Sequence, residues 1–292
     1  MNKICLLPKN IEELELNVDS FIVGIKNFNS LNTMEIELSQ IDTILDNNKD
    51  IFISINKIIH NSEINMLKEI LLELSTKNIK GIIFDDISVY QLVKENNYKL
   101  NLIWGNIHQA TSYNVINSWY NFDVKNVITS PDITLNEIIE INKNTNSKLF
   151  VPIYGMFEIF SSNRFLLSSY FDYINKDKHK DTYFINNKII NKNYPIYEDD
   201  NGTHIINGSI MNGLEEYVEL LENNIDYILI NSYMIDNPKK VISSFKTVRD
   251  MYENNNIDYE KIKKMSEELG NDKVFLNKET IYKVKSSDAN EK

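Results

Sequence analysis

The densest group of side chains able to do chemistry lies in YPIYEDDNGTH, residues 194–204 of the 292-residue chain. Three carboxylates, at positions 198–200, are followed within a few residues by His204. Such a group can exchange protons with a substrate or bind a divalent cation. The same stretch contains Asn201-Gly202, a strong signal for a tight turn between two strands. We therefore interpret it as a hairpin with Asn201-Gly202 as its turn.

A second group of polar side chains follows two apolar runs. Asp85 and Asp86 come directly after GIIF, and His108 comes shortly after LIWGN. A carboxylate at a strand end can act as a base or a ligand, although one of the two aspartates can equally cap the next helix. His108 precedes a helix start, where it can hold a carbonyl or phosphate, and a purely structural hydrogen bond is the alternative.

A third group lies in MFEIFSSNRFLLSSYF, residues 156–171, whose only charges are Glu158 and Arg164. A guanidinium beside aromatic rings can bind a carboxylate or phosphate through two parallel hydrogen bonds. Pairing of Arg164 with Glu158, or capping of exposed carbonyls by Arg164, is the alternative. The predicted catalytic residues are Asp85, His108 and Arg164, and the predicted substrate-binding residues are Tyr154, Glu158, Glu198, Asp199, His204 and Asn231, with Asp200 expected in solvent.

The sequence provides little to hold a metal or cofactor. Cys5 is the only cysteine, which excludes an internal disulfide, a cysteine-based zinc site and a self-contained iron–sulfur cluster. No HExxH pattern, nucleophile elbow or Ser-His-Asp arrangement is present. We predict no cofactor of its own; a divalent metal would have to use the 198–204 group with Asp85.

Composition restricts location and partners. A lone thiol fits a reducing cytoplasm, and no window approaches the roughly 20 apolar residues of a membrane span, so a cytoplasmic protein without membrane contact is predicted. The net charge of -11 repels nucleic acid, so an RNA role must depend on a local patch or a partner. The run KDKHK, residues 176–180, is the one basic and aromatic neighbourhood, unless it is only a solvated loop.

Short apolar runs alternate with segments of helical periodicity, which predicts an α/β fold, a (β/α)8 TIM-type barrel. The predicted strands are residues 3–7, 20–25, 50–56, 80–86, 100–106, 125–130, 148–155 and 226–232. The predicted helices are residues 33–47, 63–78, 88–97, 111–122, 134–146, 209–224 and 237–255. Thr134 with Glu137 forms a capping box at one helix start.

Residues 1–255 are predicted to form the barrel, and residues 156–208 an insertion over its C-terminal face, where barrel sites are built. Within the insertion we predict two β-like pieces, residues 182–190 and 194–208. Residues 256–292 are predicted to form a small C-terminal appendage, with a short helix, the extended piece FLNKETIYKVK and disordered last residues.

Several ordered stretches carry a family resemblance. They are GIIFDDISVYQLVKEN, ATSYNVINSWYNFDVKNVITSPDITLNEI, MFEIFSSNRFLLSSYF, YPIYEDDNGTHI and NIDYILINSYMIDNPKKVISSFKTVRDMY, ending in FLNKETIYKVK. Over roughly residues 80–285 they resemble the collagenase-like peptidase family thirty-two of unknown catalytic type, the U-32 peptidases. The resemblance implies a barrel of the kind predicted above.

The family includes reported proteases. It also includes proteins that act in the hydroxylation of tRNA wobble uridine, ribosomal RNA cytidine or quinones, and these members generally hold an iron–sulfur cluster on four cysteines. Two of those cysteines usually lie near positions 164–167, in a pattern like Arg-Cys-Leu. Here the sequence is Asn163-Arg164-Phe165-Leu166, and no cysteine follows. The chain therefore resembles a cysteine-poor branch whose members pair with a cysteine-containing paralogue implicated in tRNA uridine hydroxylation.

The resemblance implies a barrel protein that supports tRNA wobble uridine hydroxylation without its own iron–sulfur cluster. It implies a hetero-oligomer with the paralogue, in which the paralogue binds the tRNA, or else a homodimer. Two alternatives stay open: a collagenase-like, metal-dependent peptidase, and a non-catalytic barrel that binds a partner or a small anion.

Overall fold

The computed structural model describes residues 2–31, 33–45, 49–106, 108–188, 191–270 and 272–278. The strands are β1 (Lys3–Leu7), β2 (Ser20–Ile25), β3 (Glu35–Ile36), β4 (Asp50–Ile55), β5 (Gly81–Phe84), β6 (Leu102–Trp104), β7 (Asn126–Ile128), β8 (Lys148–Gly155), β9 (Glu158–Ser162), β10 (Thr182–Asn187), β11 (Lys192–Asp199), β12 (Gly202–Ile206), β13 (Met211–Asn212) and β14 (Tyr227–Asn231). The α-helices are α1 (Ile41–Leu45), α2 (Ile64–Leu74), α3 (Ile87–Glu95), α4 (Tyr113–Asn121), α5 (Leu135–Lys143), α6 (Leu166–Tyr173), α7 (Tyr217–Glu222), α8 (Pro238–Glu253) and α9 (Tyr259–Leu269).

Eight parallel strands form a closed barrel. Their order is β1, β14, β8, β7, β6, β5, β4 and β2, and pairing of β1 with β2 closes the sheet. These are the eight strands predicted from the sequence, with ends shifted by at most a few residues. The predicted (β/α)8 TIM-type barrel is confirmed.

The apolar side chains form two separate cores. The inner core fills the barrel and includes Phe52, Phe150 and Tyr227, the last two with parallel rings 4.0 Å apart between centroids. The outer core lies between the sheet and the surrounding helices. Alternating side chains of each strand supply the two cores, which explains why the strands are apolar on both faces.

Two predicted helices differ from the structure. In the predicted helix 33–47, β3 pairs in parallel with β2, and only α1 is α-helical among the described residues. In the predicted helix 209–224, β13 pairs with the end of β8, and only α7 is α-helical. Both segments have helical spacing of apolar residues, but pairing with a free edge of a barrel strand outweighs that local preference.

The insertion forms an antiparallel sheet in the order β10, β11, β12, β9, with α6 against one face. We call residues 156–208 the lid. The two predicted β-like pieces correspond to three strands, because the second contains the hairpin β11–β12. The turn residues are Asp200 and Asn201, one position earlier than predicted. Gly202 is the first residue of β12, with φ of 122°, and a Cβ there would collide with the backbone oxygen of Ser162.

The C-terminal residues pack against the barrel. Asn212 donates to the Ser266 carbonyl (2.9 Å), and the Leu276 carbonyl accepts from the Leu135 amide (2.9 Å). The predicted appendage helix is α9. Of the predicted extended piece, residues 275–278 form a turn, so the extended conformation is wrong there; residues 279–285 and the predicted disordered end lie outside the described residues. Within the described ranges, the helices lack the combined length and apolar character of a membrane span.

The capping box predicted at Thr134 is present and gives a stability test. The Glu137 amide donates to the Thr134 hydroxyl (3.3 Å), and Glu137 accepts from the Thr134 amide (2.8 Å). We expect Thr134→Ala to lower the free energy of unfolding by about 1 kcal/mol, because it leaves a helix-end amide without its acceptor. Urea denaturation followed by circular dichroism measures this; Thr76→Ala, at an exposed position, serves as control and should stay within about 0.5 kcal/mol.

Candidate functional site

A cavity of about 460 Å³ lies between the C-terminal ends of the barrel strands and the lid. Barrel loops supply one wall, and β9 with the β11–β12 hairpin supplies the other. Its polar lining consists of Ser30, Asn56, Lys57, Asp85, Asn106, His108, Gln109, Glu158, Ser161, Asn163, Asn201 and His204. The lining therefore combines side-chain amides, carboxylates and imidazoles.

The barrel wall is organised around Asp85. Asn106 donates to Asp85 Oδ1 (2.5 Å), while its own Oδ1 accepts from the amides of His108 and Gln109 (3.1 and 2.9 Å). Burial raises the pKa of Asp85, although the hydrogen bond from Asn106 opposes this rise. Asp86 instead accepts from the Ser88 amide at the start of α3 (2.8 Å). Of the two neighbouring aspartates, one lines the cavity and the other caps the helix.

The lid wall is organised around His204. Its Nδ1 lies 2.7 Å from Glu158 Oε2, and its Nε2 lies 3.2 Å from Asp199 Oδ1. The Tyr197 ring stacks on the imidazole, with centroids 4.9 Å apart. Glu158 is on β9, Asp199 ends β11 and His204 is on β12, so three strands of the lid meet at one side chain.

The two carboxylates keep His204 charged. Burial alone would lower its pKa, but the hydrogen bonds to Asp199 and Glu158 and their negative charges raise the pKa of His204 to about 9. The same contact lowers the pKa of Asp199 against the opposing effect of burial. At neutral pH the site therefore contains an imidazolium between two carboxylates.

This geometry limits the chemistry available to His204. Both ring nitrogens face carboxylates, so neither is free to accept a proton from Ser161, which pairs with His204 across the β9–β12 register. A serine nucleophile needs an adjacent base with a free nitrogen. His204 therefore positions Glu158 at the cavity wall, and the other titratable groups that line the cavity are Lys57, Asp85 and His108.

The cavity brings together four of the predicted site residues, namely Asp85, His108, Glu158 and His204. Asp199 lies directly behind His204. Two further predicted residues lie elsewhere in the lid. Glu198 accepts from the Leu167 and Ser168 amides at the start of α6 and pairs with Lys178, and these contacts, against burial, lower its pKa to about 2. Arg164 is exposed on the lid surface.

Tyr154 and Asn231 stand apart from the cavity lining. Tyr154 packs on the outside of the barrel, where its hydroxyl donates to the Leu269 carbonyl (3.2 Å) and burial raises its pKa to about 12. A register shift between β8 and β14 accompanies this outward orientation. Asn231 is buried and donates to the Met156 carbonyl (3.0 Å), which fixes the start of the lid.

The sequence prediction assigned no site role to three polar lid residues that line the cavity: Ser161, Asn163 and Asn201. Asn201, expected only as a turn residue, donates to the Asn29 carbonyl of the barrel (2.9 Å). Asn163 Nδ2 lies 3.1 Å from His60 Nε2. These contacts join the lid to the barrel, and only the tertiary placement of β9 and the hairpin reveals them.

The described residues do not assemble the ligands that the metal-dependent alternative requires. Within the described ranges, no three His, Cys, Asp or Glu side chains are grouped to hold a metal ion. An iron–sulfur cluster of the kind usual in the resembling family does not fit either. Cys5, the only cysteine, points into the barrel interior, where burial raises its pKa to about 12.

The raised pKa of His204 predicts a pH-dependent stability. Because the folded pKa of about 9 lies above the unfolded value of about 6.5, the stabilisation is fully present below about pH 6.5 and is lost as the pH rises through about 9. We expect His204→Gln to lower the free energy of unfolding by about 2 to 3 kcal/mol near pH 6 and by much less near pH 10.

Urea denaturation over this pH range measures the effect, with His179→Gln, at an exposed histidine of the same lid, as control. A histidine resonance that titrates near pH 9 in two-dimensional NMR spectra, and disappears in His204→Gln, would identify the group directly. A pH-independent loss of stability in His204→Gln would contradict the ionic assignment.

Comparison with known proteins identifies relatives of this chain. The sequence model of peptidase family U32 matches residues 10–284. The tRNA hydroxylation protein P2 of Bacillus subtilis is 28% identical over 251 residues, which cover 80% of this chain and 81% of that protein. Uncharacterized protease MJ0090 of Methanocaldococcus jannaschii is 28% identical over 134 residues, which cover 43% of this chain and 31% of that protein.

Among solved structures, the U32 peptidase Mk0906 superposes with a TM-score of 0.49 at 12% identity, over 79% of this chain and 92% of that one. The family match extends over most of the sequence, including both walls of the cavity. This agrees with the resemblance carried by the sequence motifs. The chain therefore belongs to peptidase family U32.

Proposed function

We propose that this protein takes part in the hydroxylation of the tRNA wobble uridine, together with a cysteine-containing paralogue. The observation that carries the proposal is the similarity to tRNA hydroxylation protein P2 over four fifths of both chains. Because that similarity spans the barrel and the lid together, it supports a shared site and not only a shared scaffold.

The cavity has the size and chemistry to receive one nucleobase. Enzymes that modify a base take it out of the stack into a pocket and recognise its edge by hydrogen bonds. Uracil presents two carbonyl acceptors and one N–H donor, and side-chain amides provide both partners. The cavity offers the amides of Gln109 and Asn56 at its wall, while the amides of Asn106, Asn163 and Asn201 contact Asp85, His60 and the Asn29 carbonyl.

Two carboxyl groups at the cavity have different roles. Burial raises the pKa of Asp85, so this carboxyl is suited to exchange a proton with a bound base. Glu158, held by His204, offers a fixed acceptor on the opposite wall. The single cysteine of this chain lies inside the barrel, so we assign the redox step to the partner and the binding and orientation of uridine to this chain.

We infer a hetero-oligomer as the working form, with a homodimer as the alternative. Native mass spectrometry of the protein purified from its own cells, beside the chain purified alone, distinguishes the two assemblies. A mass that corresponds to one copy of each paralogue supports the proposal. Two copies of this chain and no second protein support the homodimer.

Deletion and complementation test the function. We expect deletion of the gene to remove hydroxylated wobble uridine from total tRNA, as measured by nucleoside mass spectrometry. Complementation with Asp85→Asn should restore less than about a tenth of the wild-type level, because a general acid–base group contributes about a hundredfold or more in rate. Glu158→Gln should also restore less than the wild-type level, because it removes the carboxylate that accepts from the bound base and pairs with His204. Asp200→Asn, at an exposed turn position, is the matched control and should restore the modification.

Hydroxylated uridine that persists after deletion would remove the proposal. If the purified protein then cleaved gelatin in a chelator-sensitive manner, the peptidase alternative would replace it. If neither activity appeared, the barrel would be a binding protein for a partner or small anion.

A further inference from the structure

The lid helix α6 carries apolar side chains on two opposite sides. On the inner side, Leu167 is buried and Phe171 contacts Tyr183, with ring centroids 4.8 Å apart. On the outer side, Leu166, Tyr170 and Tyr173 recur at spacings of four and three residues, which places them on one stripe. Their exposed fractions are 40%, 56% and 84%. We call these three residues, with Phe165 directly before them, the outer stripe.

Cationic side chains border the outer stripe. Residues 164–180 contain Arg164, Lys176, Lys178 and Lys180 against two aspartates, although the whole chain has a net charge of -11. Lys178 pairs with Glu198. The other three cations form no ion pair with the described residues. This surface therefore offers three cationic side chains that can contact phosphates, although the whole molecule is acidic.

The outer stripe begins at the edge of the cavity. Asn163 lines the cavity, and Arg164 and Phe165 follow it directly in the chain. From Leu166 to Tyr173 the helix rises about 10 Å. That length is close to three nucleotide steps of about 3.4 Å along a strand. A strand with one base in the cavity can therefore continue along α6.

We propose that the outer stripe is a docking surface for single-stranded RNA, on which nucleotides next to the modified uridine stack. Exposed aromatic rings with neighbouring cations are the usual means of holding unpaired bases, since rings stack on bases and cations contact phosphates. The flat faces of Tyr170, Tyr173 and Phe165 and the adjacent Arg164 and Lys176 fit this chemistry. The proposal rests on the proposed function, which makes RNA the substrate.

Fluorescence anisotropy with a labelled anticodon stem-loop RNA tests the docking surface. We expect the double variant Tyr170→Ala/Tyr173→Ala to bind the RNA about tenfold more weakly than the wild type, because the bases lose the rings on which they stack. Tyr259→Ala, at a 64% exposed tyrosine of α9, is the matched control and should bind as the wild type does. Both aromatic positions are exposed, so folding should be retained, which circular dichroism verifies.

The contribution of the cations can be measured separately, from the salt dependence of RNA binding. We expect Arg164→Gln/Lys176→Gln to weaken binding and to reduce the slope of log affinity against log salt by about one to two, because fewer phosphates are neutralised. A fully paired duplex of the same length, whose bases are not available for stacking, should bind the wild type and Tyr170→Ala/Tyr173→Ala alike.

Equal affinities of wild type and Tyr170→Ala/Tyr173→Ala, or no binding of the stem-loop by the wild type at low ionic strength, would overturn the docking surface. So would unchanged RNA affinity combined with loss of a co-purifying protein, because the stripe would then be a protein interface. None of these results touches the proposed function, which fails only if hydroxylated uridine survives deletion of the gene.

Discussion

Closure of the sheet between β1 and β2 is the constraint on which the rest of the structure depends. In a closed barrel every strand ends at the same mouth, so loops distant in sequence become neighbours there. Because Phe52, Phe150 and Tyr227 fill the interior, a ligand cannot enter from within. The site must be built above the strand ends, and the lid residues 156–208 supply its second wall.

The lid needs its own source of order, because its sheet has only a small apolar core. The buried His204 provides it by holding Glu158 and Asp199 from two other strands. Removing one partner of such a group leaves a buried charge uncompensated, which costs more than the contact itself contributes. The same contact aims Glu158 at the cavity, so the order of the lid and the polarity of the site have one cause.

The sequence was sufficient for elements whose periodicity and ends are local. The eight strands and the Thr134 capping box depend on alternation and on one side chain at a helix start. The site was predictable where a polar residue follows a strand, as at Asp85 and His108. It was not predictable at Tyr154, where a register shift turns the side chain outward, or at Glu198, whose partner is the start of a helix 30 residues away.

The charge of the chain restricts how the proposed RNA substrate can reach the cavity. With a net charge of -11, most of the surface repels a phosphate backbone, so long-range attraction cannot guide binding over the whole molecule. Stacking is much less affected by that field, because it acts on the faces of the bases at contact distance. A protein of this charge gains selectivity for unpaired nucleotides if aromatic rings supply the contact area. A few cations can then position the phosphates of the strand. The position of α6 beside the cavity edge meets this requirement, since the residues that hold the lid on the barrel are followed in the chain by those that would hold the strand.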